Sequence, residues 1–146
     1  MPTAKAEIVV DASPAQVMAV LVDHTSYPQF LPSVRRVEVV ELAPDDWRVT
    51  YTTRIIRDLH YTLRLVRDGE RSLSWSLMDE GVFLRNSGAW TLSALPDGRT
   101  RAEQHLEIQL AVFLPNNIAR SLVERTLPDS LTRFRDEIER RKAAAT

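Results

Sequence analysis

The segment WRVTYTTRIIR, residues 47–57, alternates between two kinds of side chain from Trp47 to Ile55. Trp47, Val49, Tyr51, Thr53 and Ile55 share one side of this segment, and the opposite side carries arginine and threonine. Successive side chains of an extended strand point to opposite faces, so the alternation predicts a strand with one buried and one solvated face. Such strands are typical of antiparallel sheets.

The same alternation extends outward from this segment, and Gly, Pro and Asp occupy most of the intervening turns. The six predicted strands are Val34–Leu42, Trp47–Arg57, Leu59–Arg67, Ser72–Asp79, Phe83–Leu95 and Thr100–Phe113. Only the boundary around Asp58 lacks Gly or Pro. A further strand, Ala4–Val10, is rich in β-branched residues and precedes the others. Six successive strands joined by short turns predict an antiparallel meander.

Helical signals flank the meander. Ser13 is a good N-cap, Pro14 suits the first helical position and Gln16 completes a capping box. A second short helix is predicted over Thr25–Leu31, and Pro32 ends it.

A long amphipathic helix is predicted after Pro115, with an apolar stripe that runs from Ile118 to Ile138. Pro128 is expected to kink or split this helix. On the side assigned to solvent, Glu137 and Arg141 form an opposite-charge pair four residues apart. The predicted fold class is α+β. We expect a curved, seven-stranded antiparallel sheet, with elements in the order β-α-α-β6-α, that wraps around the C-terminal helix, and a single domain over residues 1–146.

Covering the sheet with one helix leaves two possibilities for the apolar face. A helix is about 10 Å wide and does not fill a wide concave sheet, which favours a cavity. Alternatively the same residues close into a solid core, because periodicity alone does not separate lining from filling. The apolar or aromatic residues concerned are Tyr51, Tyr61, Leu63, Trp75, Leu77, Trp90, Leu106 and Ile108 of the sheet, and Leu122, Leu127, Leu131 and Phe134 of the helix.

Composition excludes several classes of protein. The chain of 146 residues has 19 Lys+Arg against 20 Asp+Glu, so its net charge of −1 argues against a general nucleic-acid binder. The absence of cysteine excludes disulfides, zinc fingers and cysteine nucleophiles. No apolar run reaches the roughly 18 residues of a membrane span, and residues 1–10 lack a signal-peptide pattern. We therefore expect a cytoplasmic protein that needs no cofactor or metal.

Three segments carry a resemblance to a known family. DASPAQV (residues 11–17), YPQFLP (27–32) and SGAWTL (87–92), together with the order of elements, resemble the START-like, helix-grip (SRPBCC) superfamily. The likeness is greatest to its polyketide cyclase/dehydrase and lipid-transport proteins and to its coenzyme-Q-binding branch. This resemblance implies a hydrophobic tunnel under the long helix.

The expected ligand is a hydrophobic small molecule, held by the apolar lining and by the inward polar side chains Thr53, Asn86 and Gln104. Tyr51, Asn86 and Gln104 are the candidates for orienting or polarising a carbonyl group. In the cyclases that the chain resembles an inward arginine takes part. The positional candidates, Arg54 and Arg85, are predicted to face outward unless a bulge shifts the strand.

Other residues carry weaker signals. His24, His60 and His105 have no metal-ligand spacing, and the last two fall on the polar strand face. Residues 27–32 either anchor the short helices on the sheet or gate the tunnel. Residues 112–115, VFLP, either close the core or make a transient contact with a membrane.

Three functions follow as hypotheses. The first is a carrier or sensor of a lipid, an isoprenoid quinone or a polyketide-like molecule. The second is an aromatase/cyclase or dehydrase that acts on such a ligand in the same tunnel. The third is a protein- or ribosome-association factor, which the near-neutral charge does little to support.

Overall fold

Local sequence signals fix the beginning of the first helix, α1 (Pro14–Leu21). The Ser13 hydroxyl accepts a hydrogen bond from the Gln16 backbone N–H, and the Gln16 side chain accepts one from the Ser13 backbone N–H. This capping box, with Pro14 at the start of the helix, confirms the prediction. A computed structural model describes residues 3–54, 58–79, 81–111, 115, 117 and 127–145 of the chain, excluding the side chain of Leu127.

A short 3₁₀ helix, His24–Ser26, leads directly into α2 (Tyr27–Phe30). The seven strands are β1 (Thr3–Val10), β2 (Val34–Ala43), β3 (Asp46–Arg54), β4 (Asp58–Asp68), β5 (Ser72–Leu77), β6 (Phe83–Ala94) and β7 (Thr100–Leu110). The C-terminal helix, α3, is described over Leu127–Ala145. The predicted interruption at Pro128 falls at the edge of this described helix, next to residues outside the description.

All seven strands form one antiparallel sheet in the order β1-β7-β6-β5-β4-β3-β2. Strands β2 to β7 form a meander in which each strand pairs with the next one in the chain. The first strand, β1, pairs with the last, β7. The α+β fold with a seven-stranded antiparallel sheet and a C-terminal helix is therefore confirmed.

The hydrophobic core lies where α3 crosses the inner face of the sheet. Leu131, Phe134 and Ile138 of α3 belong to one buried cluster with α1 and the sheet. Val49 and Leu73 are completely buried in this cluster. Close packing in this cluster holds α3 against the part of the inner face that contains Val49 and Leu73.

A β-bulge between Phe83 and Arg85 sets the direction of the side chains at the start of β6. Phe83 is buried, whereas Leu84 and Arg85 are both exposed, and Asn86 is buried opposite Ile108. The bulge therefore leaves Arg85 on the outer face and Asn86 on the inner face.

Candidate functional site

The inner face of the sheet is divided into a sealed part and a partly exposed part. Among the residues predicted to bind a ligand, the buried ones are Tyr51, Leu63, Asn86, Trp90, Leu131 and Phe134. Those that remain partly exposed are Thr53, Tyr61, Trp75, Leu77, Gln104, Leu106 and Ile108. Leu122 and the side chain of Leu127 lie outside the described residues. The predicted lining is thus partly core and partly an accessible apolar surface, which we call the open zone.

An aromatic series crosses the inner face towards the open zone. The rings of Tyr51 and Tyr61 stack with their centroids 5.4 Å apart, and Tyr61 meets Phe83 edge-on at 4.9 Å. On the other side, Tyr27 stacks on Tyr51 at 6.4 Å. Phe134 of α3 contacts Tyr27 edge-on at 5.2 Å. These contacts rigidify the wall, because offset and edge-on aromatic pairs are favourable beyond their burial.

Residues 27–32 anchor the short helices on the core. Tyr27 and Phe30 pack edge-on against each other at 5.8 Å, and Phe30 meets Phe134 at 5.2 Å. The Tyr27 hydroxyl donates a hydrogen bond to the Leu21 carbonyl oxygen, which ties α2 to the end of α1. These contacts are the ones expected if residues 27–32 anchor the short helices on the sheet.

The tyrosine hydroxyls on the inner face differ in their partners. The Tyr61 hydroxyl lies 3.2 Å from the Thr53 hydroxyl oxygen. Within the described residues, no group forms a hydrogen bond with the Tyr51 hydroxyl. Burial raises the pKa of Tyr51 well above its usual value, so this hydroxyl stays protonated at neutral pH. It is therefore a hydrogen-bond donor and not a base.

Trp75, Asn86 and Gly88 form a tightly fitted unit at the edge of the open zone. The indole N–H of Trp75 donates to the Asn86 side-chain oxygen over 3.1 Å. Trp75 lies directly opposite Gly88 in the β5–β6 register. A Cβ atom at residue 88 would lie 2.6 Å from Cζ2 of Trp75 and 2.2 Å from the carbonyl oxygen of His105. Only glycine fits this position without displacement.

Gln104 lies on the same face, opposite Trp90 on β6 and Ala6 on β1. Its side-chain oxygen is buried and has no hydrogen-bond partner among the described residues. Most buried polar atoms are paired, so this oxygen is a candidate acceptor for a ligand or for a water molecule.

The two arginines considered for cyclase chemistry lie on the outer face. Arg54 is 3.6 Å from an Asp58 oxygen, and Arg85 is 3.2 Å from a Glu107 oxygen. Both side chains are about half exposed, in agreement with the predicted alternation. Neither points into the open zone.

Sequence reasoning missed the burial of His24. His60 and His105 are exposed, as predicted, but His24 is only 2% exposed. Its ring meets Trp47 at 5.3 Å and Tyr27 at 5.7 Å, and neither ring nitrogen has a partner among the described residues. Burial lowers the pKa of His24 to about 4, against a smaller opposing effect of Asp23. The missed signal was spacing, because His24 lies four residues after Val20 and three after Leu21, both buried residues of α1.

A polar pocket of about 560 Å³ also escaped prediction; it lies between the 3₁₀ helix and the end of α3. Arg141 reaches across it, bonding to Glu137 at 2.8 Å, to Asp23 at 3.0 Å and to Ser26 at 3.0 Å. Hydrogen bonds from Arg140 and Arg141 lower the pKa of Glu137 to about 2. The predicted solvent side was wrong for Glu137, because these contacts bury it. The acidic residues that line this pocket, Asp23 and Glu137, are thus paired with its arginines, Arg140 and Arg141.

Within the described part of the chain, no three His, Asp or Glu side chains are grouped so that they could hold a metal ion. No helix in that part is long and apolar enough to cross a membrane.

A family model described as polyketide cyclase/dehydrase and lipid transport matches residues 1–139. The chain belongs to this family. The Zhui aromatase/cyclase from Streptomyces sp. R1128 has a similar structure, with a TM-score of 0.87 and 20% identity over 99% of this chain and 97% of that one. A START superfamily protein from Mycobacterium smegmatis gives a TM-score of 0.81 and 15% identity over 94% and 97% of the two chains.

A STAR-related lipid transfer protein from Xanthomonas axonopodis gives a TM-score of 0.75 and 14% identity over 92% of this chain and 84% of that fragment. Identities this low establish a shared fold and leave activity open. A search of curated proteins found no match. The seven-stranded antiparallel sheet with its C-terminal helix agrees with membership of the polyketide cyclase/dehydrase and lipid transport family, whose members bind hydrophobic ligands or act as aromatase/cyclases.

Proposed function

We propose that this member of the family binds a hydrophobic small molecule in a tunnel between the inner face of the sheet and the C-terminal helix, as a carrier or sensor. The ligand classes in question are a lipid, an isoprenoid quinone or a polyketide-like molecule. The observation that supports this proposal is the open zone. Trp75, Leu77, Leu106 and Ile108 keep part of their apolar surface accessible on the inner, core-facing side of the sheet.

Apolar surface that stays in contact with water on the inner face of the sheet is unfavourable for a folded protein. Each Å² of apolar surface removed from water is worth about 25 cal/mol, so a ligand that covers this zone gains a substantial driving force. The adjacent sealed core, built on Val49, Leu73 and Leu131, holds the sheet and helix together without the ligand. The protein can therefore remain folded while its ligand is exchanged.

Filling the open zone tests the proposal. We expect Ile108→Trp to reduce uptake of apolar ligands at least tenfold, because the larger side chain occupies the space that the ligand needs. Native mass spectrometry after gentle purification, followed by incubation with fatty acids, a short-chain quinone or a polycyclic aromatic, measures the bound fraction.

Gln109→Trp is the matched control, because residue 109 is the next residue along β7 and its side chain is exposed. This variant is expected to take up ligand like the wild type. A wild-type protein that neither carries nor takes up any of these ligands contradicts the proposal, as does equal uptake by the Ile108→Trp variant.

A second candidate function, an aromatase/cyclase or dehydrase acting in the same tunnel, is favoured by the hydroxyl of Tyr51. It has no partner within the described residues, and its raised pKa keeps it protonated. Such a donor can hydrogen-bond a carbonyl oxygen on which negative charge develops during enolisation.

If the chain is a cyclase, Tyr51→Phe is expected to lower product formation about a hundredfold, the effect of losing one donor to a developing oxyanion. The measurement is the yield of aromatic product in a reconstituted reaction that supplies a poly-β-ketone chain. Gln109→Ala is the control. Unchanged yields in Tyr51→Phe, Asn86→Ala and Gln104→Ala together would remove the assigned roles.

A further inference from the structure

The hydrogen bond between Trp75 and Asn86 fixes the orientation of the asparagine amide, and so determines which of its two polar groups is left to bind a ligand. An indole N–H is only a donor, so the group that it meets at 3.1 Å must be the amide oxygen of Asn86. The amide nitrogen of Asn86 then points away from the indole with two N–H donors. Among the described residues, none accepts a hydrogen bond from that nitrogen.

Trp75 cannot easily move to release this arrangement. Its ring packs where a side chain at residue 88 would otherwise lie, with Cζ2 only 2.6 Å from the position of a Cβ atom. The absence of a side chain at Gly88 therefore leaves room for the indole ring, and the side chain of Asn86 accepts a hydrogen bond from its N–H. Because both contacts come from β6, the orientation of the amide is built into the pairing of β5 with β6.

This unit borders the open zone. Asn86 is paired with Ile108 on β7, and Gly88 is paired with Leu106, two partly exposed residues of that zone. A ligand that covers Leu106 and Ile108 therefore lies beside the side chain of Asn86.

We propose that Asn86 is a specificity-determining residue that donates a hydrogen bond to a carbonyl oxygen of the ligand, and that Trp75 is the positioning residue that sets its amide. The inference rests on the proposed ligand-binding function. The preferred ligand is then a flat apolar molecule that carries a ketone or quinone oxygen. The same skeleton without the oxygen buries the amide N–H groups without a partner, which costs affinity.

Three probes with one ring skeleton test this inference: fluorenone carries a carbonyl, fluorene has a methylene in its place, and fluorenol has a hydroxyl. Equimolar pairs are offered to the protein, and native mass spectrometry gives the ratio of the two complexes. For the wild type we expect about a tenfold preference for fluorenone over fluorene, the effect of one additional net hydrogen bond.

Two variants separate the roles of donor and positioning residue. Asn86→Leu is expected to bind both probes with a ratio within twofold of one. Trp75→Phe removes the indole N–H, which frees the amide of Asn86 to rotate, so fluorenol is expected to gain on fluorenone by about threefold or more relative to the wild type. Gln109→Leu, on an exposed side chain of β7, is expected to keep the wild-type ratios.

The outcomes of these experiments distinguish the role proposed for Asn86 from the proposed ligand-binding function. If the wild type takes up fatty acids but binds neither fluorenone nor fluorene, the inference of a flat carbonyl ligand falls and the ligand-binding function stands. If it takes up no apolar ligand at all, both fall. Binding of both with equal affinity overturns the role of Asn86 alone, and so does an unchanged ratio in Asn86→Leu. If Asn86→Leu does not fold, the wild-type ratio still tests the donor, and an unchanged fluorenol ratio in Trp75→Phe overturns the positioning role.

Discussion

Replacing Gly88 with alanine is expected to lower the free energy of unfolding by about 3 kcal/mol, at the upper end of what overpacking costs. The added methyl group would lie 2.2 Å from the carbonyl oxygen of His105 and 3.0 Å from Cα of Leu106. Both are backbone atoms of β7, which are held in the sheet by their pairing with β6 and β1. Neither can give way without distorting the strand. Urea unfolding followed by circular dichroism measures the loss.

The same substitution at Gly69 is the matched control. Gly69 lies in the β4–β5 turn with a φ of +56°, and a Cβ atom there meets nothing within 4 Å. Alanine at this position costs about 1 kcal/mol through the left-handed backbone alone. A Gly88→Ala variant that loses no more stability than Gly69→Ala would show that β6 and β7 can separate locally. That result would contradict the rigid packing of Trp75 against Gly88.

The fold was predictable because its signals are local and repeated. The alternation that begins at Trp47 and the capping box at Ser13 each depend on a few neighbouring residues, and the structure has the capping box and, over residues 47–54, the alternation. Strand register followed from the same alternation, since a slip of one residue would expose the whole apolar face. Asn86 and Gln104 were accordingly placed on the inner face.

What the sequence did not predict depends on contacts between distant residues. The burial of Glu137 arises from its position beside the 3₁₀ helix, more than 100 residues earlier in the chain, where Arg141 also bonds to Asp23. The pairing of Trp75 with Asn86 requires the β5–β6 register and the absence of a Cβ atom at Gly88. Periodicity assigns a residue to a face but says nothing about its partners on that face.

The burial of His24 leads to the second large effect, a loss of stability at mildly acidic pH. The folded protein holds the pKa of His24 at about 4, below the ordinary value of 6.5, because burial disfavours the charged ring. Asp23 is the charged neighbour that acts on it; it raises the pKa of His24, but by less than burial lowers it. The unfolded chain therefore binds the proton first as the pH falls.

Stability is consequently complete above pH 6.5, falls as the pH decreases from 6.5 to about 4, and levels off below that value as far as His24 is concerned. The shift corresponds to about 3 kcal/mol in total, of which about 2 kcal/mol is lost between pH 7 and pH 5. Glu137, with its pKa lowered from 4.5 to about 2, adds a further loss only below pH 4.5. The interval between pH 6.5 and 4.5 thus isolates the histidine.

His24→Phe is expected to remove this dependence, because phenylalanine keeps an aromatic ring between Trp47 and Tyr27 and has nothing to protonate. It also removes a buried N–H that lacks a partner among the described residues, so no stability should be lost at pH 7. Urea unfolding at pH 7, 6 and 5 gives the slope for each protein. His24→Leu repeats the test if phenylalanine is too large for the site.

His105→Phe is the control for histidine as such, since residue 105 is exposed on β7 and its replacement should leave the wild-type slope unchanged. If His24→Phe and His24→Leu both lose stability between pH 7 and 5 as steeply as the wild type, the acid sensitivity comes from other groups. A flat wild-type profile would mean that the ring gains a partner or leaves its site when it is protonated. The aromatic contacts with Trp47 and Tyr27 argue for the steep profile, because they enclose the ring on two sides without offering an acceptor for its proton.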